Sequence, residues 1–270
     1  MQNEIFEVMP VRKAYMKMAL PVVLSMVVTL IYNMVDTFFI AKTGNTNLVA
    51  GVSLGAPIFT LMIALGDILG LGGSSVISRL FGEQRVDDGK RLSVFCFYGS
   101  LLGGLIVTAI LLVFRTPILN LLGADSETFR YTSQYYTFIA LGAPFLILNF
   151  TPTNLLRSEG LATQSMIGSM IGTAVNIVLD PVFIFGLNMG AGGAAAATVI
   201  GYICADLYFI WVLLTKSRKL SMNPKLLRIS ASELGAVFAI GFPASITNIM
   251  QSIGICCHTA QIALPPWALS

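Results

Sequence analysis

The sequence predicts an all-α fold: a polytopic membrane helix bundle with six complete transmembrane helices and a seventh that begins a second lobe. Three observations carry this. Of the 270 residues, 56% are hydrophobic and only 11% charged, against about 25% charged in ordinary soluble domains. The mean hydropathy is +0.81, too high for a soluble chain of this size to keep its apolar surface from water. Apolar stretches of about 18 residues or more, almost free of charge, recur along the chain, the length a bilayer demands of a helix.

The spans fall at about residues 16–40, 48–71, 92–114, 131–150, 164–185, 193–214 and 234–255. The first is not a cleaved signal peptide, because its apolar run is too long, no small-residue cleavage site follows, and further spans come after it. Basic residues set the orientation, since Lys and Arg of short loops stay on the cytoplasmic side. One side collects Arg12, Lys13, Lys17, Arg79, Arg85, Lys90, Arg91, Arg157, Lys216, Arg218, Lys219, Lys225 and Arg228; the other has Lys42, Arg115 and Arg130. The N-terminus is therefore expected in the cytoplasm. Small residues within the spans, at Gly103–Gly104, Gly168, Gly172 and Gly192–Gly193 running into Ala194–Ala197, predict close helix approach.

The seventh span repeats features of the first. Ala19-Leu-Pro21 followed by Ser25, Thr29 and Asn33 resembles Gly241-Phe-Pro243 followed by Thr247 and Gln251, and a six-helix unit that begins again is a common transporter plan. This divides the chain into a six-helix lobe at 1–215, a cytoplasmic linker at 216–233, the first helix of a truncated second lobe at 234–255, and an aberrant tail at 256–270. The tail is expected to continue neither helix nor ordinary loop, as after a frameshift.

Composition also excludes functions. The formal charge of +3 resides in loops, so nucleic acid is not an expected partner. Cys96 and Cys204 lie in apolar helices and Cys256–Cys257 are adjacent, with no C-x-x-C pair or zinc-ligand spacing. The single histidine, His258, lies in the tail. Neither an enzyme nor a cofactor is expected.

The informative residues are charges inside spans. Asp36, Asp67, Asp180 and Asp206 fall there, and a charge near the bilayer centre costs about 2.5–3.5 kcal/mol even on the gentlest scale. Ser25, Thr29, Tyr32, Asn33 and Asp36 follow steps of three and four residues along one face of the first span. Ser165, Ser169, Thr173, Asn176 and Asp180 do the same in the fifth. Such stripes must face a cavity or each other, because lipid satisfies no polar group. At about 1.5 Å per residue, Asp36, Asp180, Tyr135 and Thr198 share a layer roughly 7 Å below the outer boundary. Asp67 falls near the cytoplasmic end of its span, where water reaches it, and Asp206 lies deeper, one turn from Tyr202. Pro21 and Pro181 each lack a backbone donor, which frees the carbonyls of Lys17 and Ile177 and makes each a site for a kink or a hinge.

Several segments now carry a likeness. Tyr32-Asn-Met-Val-Asp36-Thr-Phe-Phe-Ile40, Gly70-Leu-Gly-Gly-Ser-Ser-Val-Ile-Ser78-Arg79-Leu-Phe-Gly82, Leu156-Arg157-Ser-Glu-Gly160, Asn176-Ile-Val-Leu-Asp180-Pro181 and Gly193-Ala-Ala-Ala-Ala-Thr198 together resemble the multidrug and toxic compound extrusion (MATE) transporters, over about residues 13–255. The bacterial drug-efflux branch is the nearest in character. The resemblance implies twelve helices in two six-helix lobes of the plasma membrane, and exchange of small organic cations or drugs for H+ or Na+. It implies a coupling site of Asp36, Asn176, Asp180, Thr198 and Tyr135, with Na+ a candidate ligand of Asp36, Asn176 and Asp180, and bending of the first helix at Pro21. A substrate cavity lined by Thr29, Tyr32, Asn33 and Asp206 is expected beside it. Three other readings stand against this: a lipid-linked oligosaccharide flippase, which would favour basic cavity residues where none is expected; an intramembrane aspartyl protease at Gly66-Asp67; and a non-functional gene fragment.

Overall fold

The computed structural model describes residues 10–227 and 229–263. Among these there is no strand, and seven helices are long and apolar enough to cross a membrane. The helices are α1 (Val11–Lys42), α2 (Thr46–Gly82), α3 (Val86–Val113), a short α4 (Arg115–Leu121), α5 (Phe129–Ser158), α6 (Ala162–Pro181), α7 (Gly190–Thr215) and α8 (Ala231–Ala263). Each expected span is present. The fold class read from composition and hydropathy therefore stands.

Most spans extend beyond their apolar windows, because helix continues wherever no breaker stops it. At 37 residues α2 is about 55 Å long, well over the ~30 Å hydrocarbon core. It ends where Gln84 adopts a left-handed φ of 62°. The α1–α2 turn is sharper: Gly44 takes φ 67°, and the Asn45 side chain caps α2 by accepting from the Leu48 amide at 3.1 Å. The segment between the third and fourth spans forms the short α4. One expectation is corrected. The helix of the seventh span does not stop at 255; residues 256–263 continue α8, with no glycine or proline among them to interrupt it. Residues 264–270 lie outside the described residues.

The helices alternate in direction, so the ends of α2, α5 and α7 meet the starts of α3, α6 and α8 at the arginine-rich side. There Arg85 pairs with Asp88 at 2.8 Å and Glu233 at 3.4 Å. Hydrogen bonding to Asp88 holds the Arg85 guanidinium above its usual range. Glu159, only 3% exposed, gathers the turn after α7: it accepts from the Ser217 hydroxyl at 2.5 Å and the Arg218 and Lys219 amides at 2.7 and 2.9 Å. Glu159→Ala would leave these donors unpaired, and hydrogen bonds to a charged group contribute about 1.5–3 kcal/mol each. A drop of several degrees in the thermal midpoint of the detergent-solubilised protein is the expected result; an unchanged midpoint would show that the carboxylate does not hold the turn.

Small residues let the backbones touch. A Cβ on Gly172 of α6 would lie 2.9 Å from the Gly201 carbonyl of α7, and one on Gly201 2.6 Å from the Gly172 carbonyl. Gly70 of α2 meets the Phe150 carbonyl of α5, where a Cβ would sit at 2.8 Å. Gly104, Gly168 and Gly193 are likewise closed in by neighbours, whereas Gly103 faces open space. α2 packs most heavily on α5 and α8, α5 on α7, and α1 chiefly on α6. Gly72 of α2 and Gly241 of α8 press on each other's helices, which seats α8 against α2. Along α1 many large apolar side chains, such as Val27 and Met34, are exposed, as lipid contact requires.

A carboxyl cluster behind a polar cavity

Five helices, α1, α2, α5, α6 and α7, wall a cavity of about 720 Å³, within the ~300–1,000 Å³ range of small-molecule sites. From α1 come Ser25, Thr29, Tyr32 and Asn33; from α2, Asp67; from α5, Asn149, Thr153, Asn154 and Arg157; from α6, Ser169, Thr173 and Asn176; from α7, Thr198 and Tyr202. The polar stripes of the first and fifth spans thus do face one space. Several hydroxyls are bonded to their own helices. Ser25 donates to the Pro21 carbonyl at 2.9 Å and Thr29 to that of Ser25 at 2.9 Å.

At the end away from the arginine-rich side, the structure brings Asp36, Asn176, Asp180 and Thr198 together. The Asp36 and Asp180 carboxyls are within hydrogen-bonding reach of each other. Asn176 donates to Thr198 Oγ1 at 3.2 Å and, at the long limit, to Asp180 Oδ1 at 3.5 Å. Tyr32 and Thr198 share a hydrogen bond at 3.4 Å. Asp180 is fully buried, Asn176 is 3% exposed, and Asp36 is half-buried. Three buried oxygens have no partner: Asp36 Oδ1, Asn176 Oδ1 and Asp180 Oδ2. Such a set of acceptors suits a proton or a hard monovalent cation, and all three belong to the residues named from sequence as Na+ ligands. Tyr135 packs on Gly55 and lies in electrostatic range of Asp36 without a hydrogen bond to it.

Local sequence explains the placement. Asn176 and Asp180 stand one turn apart on the α6 face toward α7, where glycines allow contact. Pro181 follows at once and ends the α-helix, and Val182–Gly186 continue as a π-helical turn. Pro181 thus marks the change from α-helical to π-helical winding within one span that runs on to Gly186, where its missing backbone donor breaks the regular α pattern. α1, by contrast, runs unbroken through Pro21.

Three expectations need correction. Asp206 does not line the cavity; it stands behind Asn149, whose Nδ2 donates to Asp206 Oδ1 at 2.8 Å. Asp67 is 8% exposed and not simply wetted at a helix end, for Asn248 of α8 donates to its Oδ2 at 2.8 Å and Arg157 lies in electrostatic range. A basic residue does line the cavity, contrary to the reading that none would: the half-buried Arg157 does so, with Nε donating to Ser165 Oγ at 3.0 Å. Sequence reasoning also passed over Asn149, though an amide amid Phe145-Leu-Ile-Leu-Asn149-Phe150 is the kind of signal that marks a site. Among the described residues no group of three or more His, Cys, Asp or Glu could hold a metal ion.

Apolar helices closed around a space walled by amides, hydroxyls and buried carboxyls define a polytopic membrane helix bundle with a polar interior cavity. A family model described as MatE matches residues 21–182. The chain belongs to the MatE family. The multidrug export protein MepA of Staphylococcus aureus (strain NCTC 8325 / PS 47) is 36% identical over 246 residues, covering 91% of this chain and 54% of MepA. The structure of a multidrug resistance MATE family transporter of the MOP superfamily, in an outward-facing conformation, superposes with a TM-score of 0.84 at 28% identity over 89% of this chain and 53% of that one. The inward-facing conformation of such a transporter gives 0.78 at 28% identity over 83% and 51%. The chain thus spans about half the length of the curated relatives it matches.

Proposed function

We propose that the chain forms one lobe of a multidrug efflux antiporter that exchanges organic cations or drugs for H+ or Na+ across the plasma membrane, with its N-terminus in the cytoplasm. It is not an enzyme in this reading. The observation that supports it most is the carboxyl pair Asp36–Asp180 with its unpartnered oxygens, set directly behind Asn176, Thr198 and Tyr32 on the wall of a drug-sized cavity. A coupling ion on the pair and an organic cation in the cavity then sense each other's charge across one layer of side chains. Exchange follows when the two occupants favour different states of the transporter, since a ligand shifts a conformational equilibrium only by its differential affinity. Bending of α1 at Pro21 would move Tyr32 and Asp36 relative to α6. The orientation rests on the one-sided distribution of basic residues. One arginine, faced by Asp67, leaves the wall without the basic character that an anionic lipid-linked sugar would want.

The test is counterflow in vesicles containing a two-lobed version, made by joining residues 1–255 to the remaining helices of a relative's second lobe. Ethidium should move against an imposed gradient of H+ or Na+. Movement that ignores both gradients would overturn the antiporter reading.

A further inference from the structure

Asp206 is the buried carboxyl that the coupling site leaves unused. It is 3% exposed, and its only hydrogen bond comes from Asn149. Its second oxygen, Oδ2, is buried without a partner. The other three carboxyls of the spans are held differently: Asp36 and Asp180 have each other, Asp180 also has Asn176, and Asp67 has Asn248 and Arg157. A carboxylate held by one amide, away from water and without a counter-charge, is strongly disfavoured. A proton on Asp206 removes that charge.

The surroundings are specific. Tyr202 stands one turn earlier on α7, in electrostatic range of Asp206 and also of Tyr32 and Tyr135 beside the other pair. From α5 the facing group is Asn149. α6 meets this stretch of α7 through Gly168 and Gly172, which bring no titratable group. The charged groups on the adjoining cavity wall are Asp67 of α2 and Arg157 of α5. Asn149 faces both ways, since it lines the cavity and holds Asp206 Oδ1. A cation in the cavity would therefore lie one amide away from the carboxyl.

We propose that Asp206 and Asn149 form a second proton site, separate from the Asp36–Asp180 pair, whose proton an organic cation in the cavity displaces. The O–H bond of the Asp206 acid breaks, the proton leaves by way of the cavity, and the carboxylate left behind offsets the charge of the arriving ligand. The displacing ligand, though not the proton site itself, rests on the reading of the cavity as an organic-cation site.

Infrared difference spectroscopy on the purified 270-residue chain tests this, in a background of Asp36→Asn, Asp67→Asn and Asp180→Asn that removes the other carboxyls of the spans. A protonated-carboxyl band should be present at neutral pH, lost on Asp206→Asn, shifted in frequency by Asn149→Leu, and lost on adding tetraphenylphosphonium. Subtracting the Asp206→Asn spectrum from that of the otherwise unaltered chain repeats the measurement should the triple variant fold poorly. A spectrum that Asp206→Asn leaves unchanged overturns the proposal. A band that depends on Asp206 but ignores tetraphenylphosphonium supports the proton site and overturns the cavity reading on which displacement rests.

Discussion

Asp180→Asn should abolish efflux by a two-lobed version of this chain while leaving its abundance in the membrane unchanged. Asp180 is fully buried, its Oδ2 has no partner, and its carboxyl stands in hydrogen-bonding reach of Asp36. Asparagine has the same shape, so packing against α1 and α7 is kept. It cannot take up or release a proton, and its amide would set a second donor beside Asn176. Loss of an intramembrane charge also lowers the cost of insertion, by up to about 2.5–3.5 kcal/mol, so failed folding is not the expected cause of lost activity. Ethidium accumulation in an efflux-deficient strain should rise to that of cells with empty vector, at equal protein level by immunoblot. Unimpaired efflux by the variant would remove Asp180 from the coupling site.

Residues 1–270 expressed alone should leave drug accumulation unchanged, whereas the same lobe joined to a second one should lower it. Alternating access in such transporters moves one bundle against another around a site held between them. The matched relative MepA is covered for only 54% of its length, and within this chain the helix that follows the six-helix unit packs on α2. Thr29 and Asn33 remain exposed on α1, a polar wall that in lipid would have no solvent. Two copies pairing around the missing wall is the route by which the short chain could still act. Equal reduction of accumulation by the short and the joined versions would contradict this expectation.

Much of the fold and part of the site were legible because both rest on local periodicity. Composition and apolar run length specify spans, and steps of three and four residues specify a face, so Asp36, Asn176 and Asp180 could be placed on inward stripes before any neighbour was known. Equal depth then brought in Thr198, which the structure sets 3.2 Å from Asn176. What stayed hidden depends on contacts between distant segments. Asn149 and Asp206 are 57 residues apart and Asn248 and Asp67 181 apart, and nothing in one helix's pattern names the helix opposite. Arg157 counted as a loop cation by its charge, yet its stem brings the guanidinium to Ser165 and the cavity wall. The extent of α8 past residue 255 was missed because an unusual composition suggested a broken pattern, while helix requires only the absence of strong breakers.

The central claim is that Asp36 and Asp180 act as one ion-binding unit. Proton release on ligand addition, measured calorimetrically in buffers of different ionisation enthalpy, tests it through a double-mutant cycle of Asp36→Asn and Asp180→Asn. The account predicts that either substitution removes the pair's linked proton, leaving only the release from Asp206, and that the double variant loses nothing more. Two independent losses that add in the double variant would show two separate carboxyls and contradict it.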